Sequence, residues 1–200
     1  MASRVVLHLI RHEKTAANVE RKYIGWTDES ILMNVQANFN INIQPNIVYG
    51  SDLKRCKQTS LCYFPRAQFI PVPSLRELNF GDFEMKTYDQ LKDNEIYRQW
   101  IDHPFKIVPP NGEDFQMFEQ RVLNALYEIV KQGGEYTFVV HGGVIRLLLA
   151  KLSFEEQIFQ QVLANHRTMY SLAWDSIEHF VGGARCTSLS EGHITVNEVT

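Results

Sequence analysis

Two adjacent residues near the start of the chain, Arg11 and His12, have side chains suited to chemistry on an anion. They directly follow the apolar run 5–10, which has the length and composition of a β-strand. Strands in open α/β folds deliver the residues at their carboxyl ends to the sheet edge where ligands bind. A guanidinium there is a fixed cation, and an imidazole can act as nucleophile, acid or base. Taken alone, such a pair is more often an ordinary strand boundary.

Two later segments repeat this arrangement of an apolar run followed by a basic side chain. The short run 47–49 leads into a predicted helix that carries Arg55, and the β-rich run 136–140 ends in His141. The carboxyl ends of parallel strands meet at one edge, so we expect two arginines and two histidines to converge there. Backbone N–H groups at the Gly142 helix start would add donors. Bidentate arginine contacts suit tetrahedral oxyanions, so the pattern predicts a phosphoryl site.

Strands and helices alternate along the chain, which favours one α/β domain over 1–200, with three layers and helices on both faces of a mostly parallel sheet. The less regular segment 74–112 is predicted to be an insertion that covers the site. Strands are predicted at 5–10, 47–49, 69–72, 136–140 and 169–174, and edge strands or a hairpin at 177–181 and 193–199. Helices are predicted at 15–21, 28–39 (weakly), 52–64 with Ser51 or Asp52 as cap, 87–101, 113–132, 144–152 and 155–163.

Composition narrows the class of protein. Hydrophobic residues make up 44% and charged residues 22% of the 200 residues, as in ordinary globular proteins, and the net charge of −3 gives no reason to expect nucleic-acid or anionic-membrane binding. Three cysteines without CxxC spacing argue against a disulfide framework or structural zinc site and for a reducing compartment. No signal peptide or membrane span is predicted, so we expect a cytoplasmic protein. The spacing of His103, His166, His179 and His193 does not suggest a metal site.

At this point the sequence resembles the histidine phosphatase superfamily, whose fold is called phosphoglycerate mutase-like. LIRHEKTAAN resembles the family motif LxRHGxTxxN, and the similarity continues in family order through YIGWTDESIL, SDLKRCKQT, LRELNFGDFE, NGEDFQMFEQR and VVHGGVIRLLL. Within the superfamily, the chain looks most like the alpha-ribazole phosphatases and related broad-range phosphatases. The resemblance implies a phosphatase acting on a small phosphorylated metabolite, without a metal or other cofactor.

The resemblance also assigns roles to residues. It makes His12 the nucleophile, phosphorylated on a ring nitrogen during turnover, and Glu77 the proton donor to the leaving oxygen and then the base for water. The residues implied to contact the phosphoryl group or the substrate are Arg11, Arg55, His141, Thr15, Asn18, Gly25, Trp26, Thr27 and Gly142. Glu84 is the reserve acid if Glu77 is badly placed.

Two residues depart from the family pattern. Glu13 replaces the glycine after the nucleophile, which predicts a strained backbone and an extra carboxylate beside the anion site unless the side chain points away. Met85 replaces a glycine that often follows FGxxE, which could alter the substrate mouth. Two alternatives stay open: a phosphoglycerate mutase, which has the same fold, and an inactive phosphate-binding or interaction protein that has Glu13 as its only support. A homodimer is possible through the C-terminal strands.

Overall fold

A six-stranded sheet lies at the centre of the computed structural model, which describes residues 3–32 and 39–196. In chain order the strands are β1 (Val5–Arg11), β2 (Phe39–Asn40), β3 (Ile47–Gly50), β4 (Gln68–Pro71), β5 (Gly134–Val140), β6 (Thr168–Trp174), β7 (Ser188–His193) and β8 (Thr195–Val196). The sheet order is β4-β3-β5-β1-β6-β7, and β2 pairs with β8 apart from it. The neighbours from β4 to β1 are parallel, whereas β6 and β7 join antiparallel, so the predicted mostly parallel sheet is confirmed.

Helices cover both faces of this sheet. They are α1 (Ala16–Val19), α2 (Lys54–Tyr63), α3 (Tyr88–Leu91), α4 (Glu95–Asp102), α5 (Phe115–Ile129), α6 (Gly142–Leu152) and α7 (Ile177–Val181). Leu7 and Leu9 of β1 pack with α5 and α6 on one face, whereas Ile10 packs with α2 on the other. Because side chains alternate along a strand, this two-sided burial explains the nearly unbroken apolar run of β1.

The segment between β4 and α5 has a small core of its own. Short 3₁₀ turns at Pro73–Leu75 and Gly81–Phe83 precede α3 and α4. The core side chains are Phe83, Leu91, Tyr97 and Trp100, packed with Tyr23 and Phe80. Aromatic packing, not a long periodic pattern, orders this part of the chain. The sequence therefore predicted one helix at 87–101, whereas the structure has two short helices, α3 and α4.

Two predicted elements near the C-terminus are wrong. Residues 155–163 form an irregular segment with one turn at 159–161 instead of a helix, and Phe159 of that turn packs edge-on against Phe115 with the ring centroids 5.0 Å apart. Residues 177–181 form helix α7, not an edge strand, and Ser176 caps it by accepting from the His179 N–H. Short apolar runs do not distinguish helix from strand by periodicity alone.

Other boundaries differ in smaller ways. Residues 28–32 are not helical, since Ile31 bridges to Thr15, and 33–38 lie outside the described residues. The second edge element predicted at 193–199 is β8 over 195–196, and 197–199 also lie outside. Leu53, not Ser51 or Asp52, precedes α2, and neither predicted side chain caps it. Within the described ranges, no helix has the length and apolarity needed to cross a membrane.

Candidate active site

The histidines predicted from two strand ends lie next to each other. Arg11 of β1 is in register with Val140 of β5, so the residues that follow, His12 and His141, are neighbours across the sheet. Their ring centroids are 5.2 Å apart in an edge-on arrangement. Arg55, from the first turn of α2, reaches the same place and contacts His141. The parallel topology therefore brings these four basic side chains to one sheet edge.

His12 is held in a single neutral form. Its Nδ1 lies 2.7 Å from the carbonyl oxygen of Glu13, which can only accept, so Nδ1 carries the proton and Nε2 keeps its lone pair. The side chain is buried, and burial lowers its pKa well below the usual value, helped by the positive charges of Arg55 and Arg11. A neutral imidazole with a free Nε2 is a competent nucleophile.

Arg55 is fully buried and fixed by backbone acceptors. Its Nη1 donates to the Thr27 carbonyl at 2.8 Å, and its Nη2 donates to the Gly25 carbonyl at 2.6 Å. Its Nε points at Nδ1 of His141 at 3.3 Å. Gly25 and Thr27 thus contribute to the site through their carbonyl groups, which orient the Arg55 guanidinium. A side chain on Gly25 would not fit, since its Cβ would lie 2.3 Å from the Leu78 carbonyl oxygen.

His141 is oriented from both ring nitrogens. Since Nδ1 accepts from Arg55, Nε2 carries the proton and donates to the Ser51 hydroxyl at 2.7 Å. Burial lowers the pKa of His141 well below the usual value, and Arg55 lowers it further. The Ser51 hydroxyl in turn donates to Sγ of Cys56 at 3.2 Å. Burial raises the pKa of that thiol to about 11, as expected for a core cysteine and not a thiolate nucleophile.

Arg11 keeps part of its guanidinium available. Its Nη1 donates to the Ala164 carbonyl at 2.7 Å, whereas its buried Nε has no hydrogen-bond partner among the described residues. Gly142 leaves room beside it, because a Cβ there would lie 3.2 Å from the Arg11 Cζ. An anion in the site would give the unsatisfied donor a partner, which makes Arg11 a ready contact for phosphoryl oxygens.

Glu77 occupies the helix start that was expected to bind the phosphoryl group. Its Oε2 accepts from the Gly143 N–H at 2.8 Å and its Oε1 from the Leu78 N–H at 2.9 Å. Helix N-termini favour negative charge, so the first turn of α6 is a natural place for this carboxylate. A Cβ on Gly143 would lie only 2.1 Å from Oε1, so the glycine is what allows the approach.

Replacing Gly143 with alanine is therefore expected to displace Glu77 and lower turnover by about 10²-fold or more, the smallest loss expected for a misplaced acid–base group. The fold should persist, since alanine favours a helix over glycine. Gly192→Ala is the matched control, because its Cβ would meet nothing closer than 3.8 Å. Steady-state kinetics and thermal melts of both variants check this, and a Gly143→Ala enzyme with full turnover would contradict the assigned role of Glu77.

Arg121 and Glu113 hold the Glu77 segment, and sequence reasoning gave neither a role. Arg121 donates to the backbone carbonyls of Glu77, Arg76 and Ser74, each at 2.8 Å. Glu113 binds the same guanidinium in bidentate fashion at 2.6 and 2.8 Å. The available signal was the NGEDFQMFEQR motif, which contains both residues, but the backbone carbonyls that Arg121 binds lie 44 to 47 positions away.

Glu84 and Trp26 build the loop beside Glu77. The Glu84 carboxylate accepts from the N–H groups of Trp26 and Thr27, both at 2.7 Å, and from the Thr27 hydroxyl. The Trp26 indole donates to the Glu77 carbonyl at 3.0 Å, under the Arg76 guanidinium. Glu84 is thus saturated with donors, which gives no support to it as the reserve acid. Trp26 combines rim packing with a hydrogen bond to the Glu77 backbone.

Thr15 and Asn18 form a reciprocal cap on α1. The Thr15 hydroxyl accepts from the Asn18 N–H at 3.3 Å, and the Asn18 side chain accepts from the Thr15 N–H at 3.1 Å. Thr15 is completely buried, whereas Asn18 lines a cleft next to Arg11. Of the two, only Asn18 lies where it could contact a substrate.

The structure corrects one expectation about the two departures from the family motif, the backbone strain at Glu13. Glu13 has no positive φ, so the predicted strain there is wrong; Met85 has φ of 60° instead and carries the strain. The Glu13 carboxylate accepts from the Tyr63 hydroxyl at 2.5 Å and from Nε of Arg167 at 2.9 Å. Because Arg167 offsets its charge, Glu13 does not present an unpaired carboxylate to an anion.

A cleft of about 450 Å³ opens beside Arg11, Glu77 and the first turn of α6. Aromatic side chains form much of its wall: Tyr23, Phe80, Trp100, Phe115, Phe118 and Phe159. A second cavity, of about 530 Å³, lies at the amino-terminal ends of β3 and β5, around Ile47 and Gln132, with His8 from the middle of β1 on its wall. We assign the first cleft to the site because it alone of these two reaches the Arg11 end of β1.

Acid is expected to destabilise the fold through its buried imidazoles. Burial lowers the pKa of His12 and His141 well below the usual value and that of His166 to about 4. Below about pH 6.5 the unfolded chain binds protons that the folded chain does not. Unfolding free energy should therefore be flat above that pH and fall by up to about 1.4 kcal/mol per unit for each imidazole as the pH drops.

Urea titrations between pH 7.5 and 5.5 measure this dependence. His8 contributes in the same direction, because burial lowers its pKa too. His166→Gln removes one of these groups and should flatten the slope, while His179→Gln, at an exposed position on α7, should not change it. A stability that rises on acidification would contradict the buried neutral imidazoles.

The site does not have the ligands of a metal centre. Over residues 3–32 and 39–196, no group of three or more His, Cys, Asp or Glu side chains could hold a metal ion. The basic side chains around His12 have the chemistry of an anion site instead.

Comparison with known proteins places this geometry in a family. The sequence model described as histidine phosphatase superfamily (branch 1) matches residues 7–178. The chain is 33% identical to the adenosylcobalamin/alpha-ribazole phosphatase of Escherichia coli K12 over 159 residues, covering 73% of this chain and 78% of that one. It is 27% identical to the metal-independent phosphoserine phosphatase of Arabidopsis thaliana over 162 residues, covering 72% and 67%.

Among solved structures, a phosphoglycerate mutase from Thermus thermophilus superposes with a TM-score of 0.66 at 24% identity, covering 92% of this chain and 97% of that one. This confirms the phosphoglycerate mutase-like fold. The family match spans more than half of the chain, with Arg11, His12, Arg55, Glu77 and His141 inside it. The chain belongs to the histidine phosphatase superfamily (branch 1).

Proposed function

We propose that this protein is a phosphatase that hydrolyses a small-molecule phosphomonoester through a phosphohistidine on His12, without a metal ion. One observation carries the proposal: Nδ1 of the buried His12 donates to the Glu13 carbonyl, which leaves the lone pair on Nε2, and the positive charges of Arg55 and Arg11 act on this ring. Family membership and relatives named as phosphatases support it. The Arabidopsis relative is itself named metal-independent.

The first step transfers the phosphoryl group to the protein. Nε2 of His12 attacks phosphorus, the N–P bond forms and the P–O bond to the leaving group breaks. Protonated Glu77 gives its proton to the leaving oxygen and becomes a carboxylate. Arg11 and Arg55 offset the charge on the phosphoryl oxygens, which is most useful in a preorganised, water-poor site.

The second step returns the protein to its starting state. Water attacks phosphorus, Glu77 accepts the proton that the water loses, and the N–P bond breaks to leave neutral His12 and phosphate. The hydrogen bond from Nδ1 of His12 to the Glu13 carbonyl holds the ring in place through both steps. Both ring nitrogens of His141 are engaged, by Ser51 and Arg55, so its proposed task is to hold the Arg55 guanidinium that contacts the phosphoryl oxygens.

Residues 74–112 are proposed to cover the leaving group. Glu77, Phe80 and Trp100 of this segment line the cleft beside Arg11. An inactive interaction protein is the weaker alternative, because its only support was the charge of Glu13, and that charge is paired with Arg167. Phosphoglycerate mutase stays as the alternative on the same fold.

Phosphate release from p-nitrophenyl phosphate and from a panel of phosphorylated metabolites tests this function. We expect release to persist in EDTA and no interconversion of 2- and 3-phosphoglycerate. Mutase activity that exceeds phosphate release would overturn the proposal in favour of the mutase. No release from any phosphomonoester would favour the inactive protein.

A further inference from the structure

Arg146 is a cation in the cleft to which the proposed mechanism gives no task. It lies on α6, three residues after Gly143, and therefore on the helix face that the Glu77 carboxylate approaches. Its side chain lines the cleft, and its buried Nε has no hydrogen-bond partner within the described part of the chain. The contrast is with Arg121, which also reaches the Glu77 segment but is bound by the Glu113 carboxylate at 2.6 Å.

The charges around Arg146 leave it in need of an anion. Burial is the main cause that lowers the pKa of Arg11; Glu77 raises that pKa, and the nearby positive charge of Arg146 lowers it. Lys22, another cation on the cleft wall, is already paired with Glu20 at 2.5 Å. Glu77 is the one carboxylate among the described residues lining this cleft, and two backbone N–H groups bind it.

The proposed phosphoryl contacts are Arg11 and Arg55, which leaves Arg146 without an assigned anion. Leaving a partly buried guanidinium donor without a partner is unfavourable, and a carboxylate matches its planar fork. The neighbouring wall is apolar and aromatic, with Phe115, Phe118 and Phe159 on it. Such a wall suits a flat ring, which would place an attached anion beside the guanidinium.

We propose that the cleft takes phosphomonoesters whose leaving group is an aromatic ring bearing a carboxylate, and that Arg146 binds this carboxylate. The inference rests on the proposed function, since it concerns the other half of the same substrate. It makes Arg146 a specificity-determining residue that contacts the leaving group, distinct from the arginines that contact the phosphoryl group.

Matched substrates isolate the contribution of the carboxylate. We would compare kcat/KM for the 3- and 4-carboxyphenyl phosphates with that for the corresponding carboxamides, which have nearly the same shape without the charge. At least one carboxylate isomer is expected to be preferred about tenfold, the size of one charge-assisted hydrogen bond, mainly through KM. Arg146→Met should reduce this ratio to about one, and Arg146→Lys should keep part of it.

Lys151→Met is the control on the same helix, because Lys151 pairs with Glu119 at 2.7 Å outside the cleft and its loss should leave the ratio unchanged. Two outcomes overturn the inference and leave the phosphatase standing: no preference in the parent, or equal losses for both esters in Arg146→Met. A parent that hydrolyses none of the esters overturns the proposed function together with the inference.

Discussion

Replacing His12 with alanine is expected to lower turnover of every phosphomonoester by a factor on the order of 10⁴ to 10⁶, as loss of a covalent nucleophile does elsewhere. The reason is that Nε2 of His12 is the lone pair placed to accept the phosphoryl group. Arg11 and Arg55 remain in the variant, so substrate binding should weaken far less than turnover. Single-turnover and steady-state kinetics separate the two effects.

His179→Ala provides the control for this substitution, because His179 is exposed on α7 and should be replaceable without loss. Circular dichroism and thermal melts should show that His12→Ala still folds. Retention of more than about a hundredth of parental turnover in a folded His12→Ala protein would exceed the loss expected for a nucleophile and assign the nucleophile elsewhere.

Replacing Glu77 with glutamine is expected to separate the two chemical steps. Glutamine has nearly the same shape, and its oxygen can still accept from the Gly143 N–H, while the bond to the Leu78 N–H is lost to the NH2 group, so the site should stay largely assembled. The variant lacks the proton for the leaving group and the base for water, each of which contributes about 10² to 10⁴ in rate. Steady-state turnover should fall by at least that much for O-phosphoserine, whose alkoxide leaves poorly.

p-Nitrophenyl phosphate should behave differently in the same variant. Nitrophenolate leaves without a proton, so Glu77→Gln should give a burst of about one nitrophenolate per active site, followed by slow turnover. Glu84→Gln is the comparison, since Glu84 holds the loop of Trp26 and Thr27 and not the leaving group. A normal rate in Glu77→Gln together with a burst in Glu84→Gln would move the acid to Glu84.

The parts of the fold that could be predicted are those whose sequence pattern and packing agree. β1 is buried along nearly its whole length, and α5 presents Phe118, Val122 and Leu126 at helical spacing to one core, so local pattern sufficed. The convergence of His12 and His141 followed from parallel strands ending in basic residues, with no need for exact boundaries.

The parts that failed depend on partners distant in sequence. β7 has the sequence SLSEGH, with no apolar alternation, and is a strand because β6 pairs with it. Residues 155–163 have helical composition, yet Phe159 is used for packing against Phe115. Propensity is a weak prior in such segments, and tertiary contacts decide.

The same limit applies within the candidate site. The sequence shows Glu13 as a departure, but its meaning depends on Arg167, which is 154 positions away. Arg121 could be seen in a motif, whereas its three backbone acceptors around Glu77 could not. The sequence identifies a charged side chain, but it does not identify an oppositely charged partner that only the fold brings close.

Chemical trapping of the intermediate tests the central claim most directly. Glu77→Gln would be mixed with p-nitrophenyl phosphate and quenched in alkali, because phosphohistidine is stable in alkali and hydrolyses in acid. The phosphorylated residue would then be mapped by mass spectrometry. We predict phosphate on His12, bound through Nε2, and none when His12→Ala is combined with Glu77→Gln. Phosphate on another residue, or equal labelling of the double variant, would contradict the assignment of His12 as the nucleophile.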